Sequence, residues 1–126
     1  MDIKNAVLGL RTTIYRVNDL DAAKQWYARA FNTPPYFDEP FYVGFDIGGF
    51  ELGLQPETAA SEIKAESVVA FWGVADLREA YGHFTDVGAT VYEEPREVGG
   101  GIIVAKVKDP WGNLIGLIYN PHFKSV

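Results

Sequence analysis

The residues of this chain that could do acid–base or nucleophilic chemistry are few: His83, His122, Glu51 and scattered serines, with no cysteine. Zero cysteine removes thiolate nucleophiles, a disulfide framework and Cys-based zinc or iron–sulfur sites. Ser61 and Ser67 flank a polar stretch, Ser125 is penultimate, and neither histidine has an evident orienting partner, so no Ser-His-Asp or Ser-Lys set is recognisable. Both histidines read as ordinary surface residues. Glu51 could act as a general base if an apolar surrounding raised its pKa, whereas a Glu beside a Gly-Gly hairpin is more simply a solvated one. Gly99-Gly100-Gly101 has the composition of a phosphate-cradling loop but lies between two strand-like runs, with no helix and no Lys-Ser/Thr after it. It reads as a hairpin turn.

The elements that must position these residues come in two copies. Val17-Asn18-Asp19-Leu20 recurs as Val74-Ala75-Asp76-Leu77, and at the same offset Ala23 meets Ala80, Tyr27 meets Phe84 and Ala30 meets Val87. Apolar residues at i, i+3, i+7 and i+10 are the buried stripe of an amphipathic helix. Each Asp can cap its helix, Asp76 with Glu79 has the form of a capping box, and Gly88 suits the position that ends the second helix. Strand-like runs precede the helices at 11–17 and 67–74. After the first helix come 36–39, 41–47 and 50–55, and after the second 90–98, 101–108 and 114–120, with Gly and Pro between them as in antiparallel hairpins. The expected organisation is one domain over 1–126, with module one at about 8–55, a polar linker at about 56–66 and module two at about 67–120.

Bulk composition narrows the partners. The chain has 126 residues, 48% of them hydrophobic and 22% charged, as in ordinary globular proteins. A net charge of −6 with scattered basic residues argues against nucleic acid, which requires clustered Lys and Arg. No run of about 18 apolar residues suggests a membrane span, and the start lacks a secretory signal pattern. A cytoplasmic location without a membrane partner is therefore expected.

Strand-V-x-D-L-helix twice, Asp46-Ile47-Gly48-Gly49-Phe50-Glu51-Leu52, and Asp109-Pro110-Trp111-Gly112-Asn113 before a terminal strand together resemble the glyoxalase/bleomycin-resistance/extradiol dioxygenase (vicinal oxygen chelate) superfamily. The resemblance covers essentially the whole chain. It implies an α+β fold of two tandem βαβββ modules, whose curved mixed sheet forms a half-barrel cup around a site. In metal-binding members the resemblance places a His on each module's first strand, at Thr12 and Val69 here, and a carboxylate on each last strand. The second carboxylate seat is Gly116; the first is Gly53 by ungapped alignment or Glu51 by the family's E-L dipeptide. One carboxylate among four seats falls short of the roughly three protein ligands a catalytic metal needs, so no metal and no cofactor is expected. Family analogy also implies a homodimer.

Strand parity assigns Thr12, Ile14 and Arg16 to the cup, with Glu51 and Gly53 from the same module. From the other module it assigns Val69, Phe71, Leu114, Gly116 and Ile118. Such a lining is mostly apolar with a few polar groups, and glycine at two seats would leave room for ligand atoms. The same faces could instead be packed core. Trp72, by parity, faces the helix layer, and the many aromatics around 36–45 suit either a stacking pocket or a half-buried strand. The expected function is metal-independent binding of a small apolar or amphipathic molecule. The alternative is an enzyme of the same superfamily, of lyase, isomerase or dioxygenase type, with a non-standard or substrate-assisted site in which Glu51 is the catalytic candidate.

Overall fold

The computed structural model describes residues 8–58 and 63–123. Ser61, Ser125, the first residues of the chain and the middle of the expected linker lie outside them. The chain divides into two compact units at Pro56/Glu57.

The first unit runs β1 (Thr12–Val17), α1 (Leu20–Ala30), β2 (Phe37–Glu39), β3 (Tyr42–Ile47) and β4 (Phe50–Pro56). Its sheet has the order β1-β4-β3-β2, with β1 and β4 parallel and the other pairs antiparallel. A parallel pair requires a crossover, which α1 and the two hairpins provide. The Asp19 side chain accepts from Ala22 N at 3.0 Å and so caps α1. At the other end Asn32, at φ 51°, stands where the left-handed backbone turns the chain, and Thr33 N donates to Ala28 O and Asn32 N to Arg29 O. That is the Schellman pattern. Ala23, Trp26, Tyr27 and Ala30 bury the helix face against Tyr15, Val17, Val43, Phe45, Leu52 and Leu54. Tyr27 stacks on Tyr15 with ring centroids 5.7 Å apart. Each large side chain buried in this layer contributes roughly 1.5–3 kcal/mol of hydrophobic stabilisation.

The second unit repeats the order: β5 (Phe71–Gly73), α2 (Leu77–Asp86), β6 (Thr90–Gly99), β7 (Ile102–Lys108) and β8 (Leu114–Tyr119), with sheet order β5-β8-β7-β6 and β5 parallel to β8. Asp76 caps α2 by accepting from Glu79 N at 3.1 Å. Gly88, at φ 110°, ends the helix, with Gly88 N donating to Thr85 O and Ala89 N to Phe84 O. Ala105, Val107, Ile115 and Leu117 are fully buried on the helix side of this sheet. The expected α+β fold of two βαβββ modules is thus present, as two open four-stranded sheets each carrying one helix. The strand expected at 67–74 is only Phe71–Gly73. Its partner β8 begins at Leu114, after a tight turn, so Ser67 and Val68 have no strand to pair with and Val68 is 82% exposed.

That turn is Asp109-Pro110-Trp111-Gly112-Asn113. The buried Asp109 carboxylate accepts from Trp111 N and Asn113 N, both at 2.8 Å, and from Asn113 Nδ2 at 2.9 Å. Its polar residues are therefore consumed in building the entry to β8. The Gly99–Gly101 segment forms the β6–β7 turn, and the His122 ring lies against Gly100 O at 2.6 Å.

Candidate functional site

The register of β1 on β4 sets Thr12 opposite Glu51 and Ile14 opposite Gly53, and that of β3 on β4 sets Asp46 opposite Glu51 and Gly44 opposite Gly53. These residues share the face of the sheet that α1 does not cover. On it Glu51 collects hydroxyl groups. Thr12 Oγ1 donates to Oε1 at 2.7 Å, and Tyr36 Oη donates to Oε2 at 2.5 Å. Tyr42 donates a further bond to the same carboxylate. Tyr36 is held in place by its own backbone N–H, which donates to Gly44 O at 2.9 Å.

Two glycines make this arrangement possible by close approach. A Cβ at Gly44 would stand 2.8 Å from Glu51 Oε2 and 3.0 Å from the Tyr36 ring, and one at Gly53 would collide with the Tyr42 hydroxyl. Hydrogen bonds, Tyr36 first and then Thr12 and Tyr42, hold the Glu51 carboxyl below the usual Glu range against an opposing effect of burial. The same bonds act in reverse on the phenols. Burial first, then Glu51, pushes Tyr42 up to about 12, and the bond to Glu51 raises Tyr36 as well. The direction of the shift is opposite to the raised pKa on which a general-base role for Glu51 would depend.

The remaining positions assigned from the sequence lie as follows. Ile14 and Arg16 are exposed on β1, whereas Tyr15 and Val17 are buried toward the helix. In the second unit Phe71 is exposed and opposite Gly116, Ile118 is half-buried, Leu114 is buried, and Val69 precedes β5 and is half-buried. The expectation of free space at the two glycine seats is corrected. Tyr42 covers Gly53, and the Phe71 ring lies over Gly116, 2.6 Å from where a Cβ would be. Aromatic rings from the same unit have taken the volume that a longer side chain would fill. Ile14 opposite Gly53 matches Phe71 opposite Gly116, so Gly53 is the counterpart of Gly116 and Glu51 that of Leu114.

Sequence parity also left residues unassigned. Tyr36 and Tyr42 were visible only as members of an aromatic run. Counting back from the Gly48-Gly49 turn, which pairs Ile47 with Phe50, would have set Tyr42, Gly44 and Asp46 on the face of Glu51 and Gly53. Likewise Lys106 is opposite Gly116 and Lys108 opposite Leu114, which puts two cations on the open face of the second sheet. Each has a carboxylate partner: Lys106 reaches Glu93 at 3.3 Å, and Lys108 reaches Glu66 at 2.5 Å. Tyr92 also donates to Glu66, at 3.0 Å. Lys108 first, and then Tyr92, keeps Glu66 below its ordinary value.

The metal seats that the resemblance implies are poor in ligand side chains in both units. One carries Thr12 with Glu51, whose oxygens accept hydroxyls; the other carries Val69 and Gly116, whose side chains offer no ligand atom. Among the described residues no three His, Asp or Glu side chains come together as a metal-binding group. In the first unit a separate groove of about 370 Å³ lies between α1 and the β2–β3 hairpin, lined by Leu20, Lys24, Asp38, Pro40 and Val43 among others. Lys24 spans it, bonded to Asp38 at 3.0 Å. No helix among the described residues is long and apolar enough to cross a membrane.

Comparison with known proteins supplies the relationship. The family model described as the Glyoxalase/Bleomycin resistance protein/Dioxygenase superfamily matches residues 9–117. Solved structures with the same fold include a glyoxalase-related enzyme from Fulvimarina pelagi, with a TM-score of 0.79 and 17% identity over 95% of this chain and 94% of that one. A lactoylglutathione lyase from Agrobacterium tumefaciens has a TM-score of 0.73 and 20% identity over 94% and 99% of the two chains. A glyoxalase/bleomycin resistance protein/dioxygenase family enzyme from Burkholderia phytofirmans has a TM-score of 0.74 and 18% identity over 86% and 95%. At these identities the likeness is one of fold. No curated protein matches the chain by sequence.

Proposed function

The chain belongs to the glyoxalase/bleomycin resistance protein/dioxygenase superfamily, and from that premise we propose that it binds a small apolar or amphipathic molecule, without a metal, on the open sheet face around Glu51. The observation that carries this reading is the Thr12–Glu51–Tyr36–Tyr42 group. It is a polar anchor fixed in orientation by three hydroxyls and bordered by exposed rings, since Tyr36 is 64% and Phe37 39% exposed. Apolar walls with a few placed polar groups are the usual composition of small-molecule sites. The poor donor set at the metal seats supports the metal-free part of the reading. The lowered pKa of Glu51 favours binding over proton abstraction, because a weaker base removes protons less readily. A homodimer, by family analogy, and a cytoplasmic location, with which the cysteine-free composition is compatible, are part of the same proposal.

A thermal-shift screen of hydrophobic and aromatic metabolites and antibiotics, with mass spectrometry of each hit, tests it. Ligands that raise the melting temperature and are recovered unchanged support binding. Chemical conversion of a hit, lost in Glu51→Gln, would replace it with an enzymatic function. Stoichiometric zinc, nickel, iron or manganese in the purified protein, lost in Glu51→Ala, would overturn the metal-free part.

A further inference from the structure

We propose that the ligand of this face is an organic cation, an ammonium group carried on an apolar body, with the ammonium against the Glu51 carboxylate and the body against the rings of Tyr36, Phe37 and Tyr42. The inference rests on the binding reading above and names its ligand class.

The carboxylates beside the two open sheet faces are partnered differently, while on β2 Asp38 pairs with Lys24. In the second unit Glu66 and Glu93 are each neutralised by a lysine, Lys108 and Lys106. In the first unit none of the ion pairs among the described residues involves Glu51, whose partners are hydroxyls alone. Hydroxyl donors keep a carboxylate charged without cancelling that charge. A carboxylate has about four acceptor positions, so three hydroxyls leave room for one further donor. Glu51 thus keeps its charge and one open acceptor position, with no cation from the ion pairs among the described residues.

The surroundings select the same sign. Tyr36, Phe37 and Tyr42 form a continuous ring cluster, with centroids 6.5 Å apart for Tyr36–Phe37 and 6.1 Å for Phe37–Tyr42. Aromatic faces are electron-rich and attract ammonium groups. Phe37 pairs in register with Gly44, which places it on the Glu51 face. Asp46, exposed and directly across β3–β4 from Glu51, adds a second negative charge that repels an anionic ligand. The net charge of −6 acts in the same direction at longer range.

Three soluble probes of similar size separate the possibilities: 2-phenylethylamine, 2-phenylethanol and 3-phenylpropionate, titrated into the full chain and followed by NMR shifts of assigned Thr12, Tyr36, Tyr42 and Glu51 signals. The amine is expected to bind about tenfold more tightly than the alcohol, with the carboxylate weakest, and Glu51→Gln should abolish the preference. Amine affinity in the unmodified chain should also fall on acidification only below the ordinary Glu range, where the amine itself stays charged, so the inference is tested even if the variant does not fold. Asp46 faces the site too, and Asp46→Asn should leave that acid limb in place. Equal affinity for amine and alcohol would overturn the cation assignment while leaving the binding reading intact. An acid-insensitive amine affinity would do the same. Absence of site shifts with all three probes, when a screen hit does shift these signals, overturns the cation class alone; absence with every compound overturns both.

Discussion

Thr12 on β1 and Glu51 on β4 are partners across a parallel strand pair, and the Thr12 hydroxyl donates to the Glu51 carboxylate at 2.7 Å. Two positions that the family resemblance marks as candidate metal seats therefore satisfy each other. Tyr36 and Tyr42 complete the shell, and the group becomes an internally bonded anion.

Its pH dependence follows from the sign of the shifts. The folded pKa of Glu51 lies below its ordinary 4.5, so its stabilising contribution is fully present above that value and is lost as pH falls through the folded pKa. Urea unfolding of the chain and of Glu51→Gln should differ by on the order of 1 kcal/mol at neutral pH, and the difference should shrink below pH 4.5. A constant difference down to strong acid would contradict this. For Tyr42 the sign reverses: its folded pKa is raised from 10.0 to about 12, so its contribution is complete below pH 10 and lost as pH rises through about 12. Ultraviolet titration should find a phenol ionising near pH 12 that disappears in Tyr42→Phe.

Gly116→Ala should destabilise the fold by about 1–3 kcal/mol, because the added methyl needs space already held by a ring and a carbonyl. The new Cβ would meet Phe71 Cδ1 at 2.6 Å and Ala70 O at 3.0 Å. Denaturant midpoints measure this, and adding Phe71→Ala should recover part of the loss by vacating the ring's volume. An unchanged midpoint for Gly116→Ala would mean the position is open after all.

Asp109→Ala should cost about 2–4 kcal/mol, since it removes the acceptor of the buried Asn113 N–H and of the part-buried Trp111 N–H. Asp109→Asn keeps one acceptor oxygen and should cost less. Calorimetry on the pair decides whether the motif acts as a turn. Equal stability of Asp109→Ala and the unmodified chain would remove that assignment.

Light scattering at micromolar concentration should give twice the monomer mass if the proposed homodimer forms. A monomer mass would remove the dimer from the proposal without touching the unit-by-unit description of either sheet.

How much of this was legible beforehand depends on the range of the interactions involved. The repeat, both helices with their Asp19 and Asp76 caps, the stop at Gly88 and the hairpin turns arise from contacts between residues a few positions apart. Spacing in the sequence carries such contacts directly. Strand parity correctly separated Tyr15 and Val17, which are buried, from Ile14 and Arg16, which are exposed.

The site's chemistry is non-local. Thr12 is 39 positions from Glu51 and Tyr36 is 15 positions from it. Their meeting depends on the register of β1 and β3 against β4, which local propensity does not encode. The sequence alone determined that Gly53 and Gly116 have no side chain; the tertiary structure decided that Tyr42 and Phe71 would cover them. A missing side chain is an intrinsic property of a position. What fills the space is set by close packing, which draws in whichever ring from a distant strand can reach it. For the same reason the sequence determined that Glu51 is a carboxylate beside a hairpin, and the fold decided that hydroxyls from distant positions gather around it and lower its pKa.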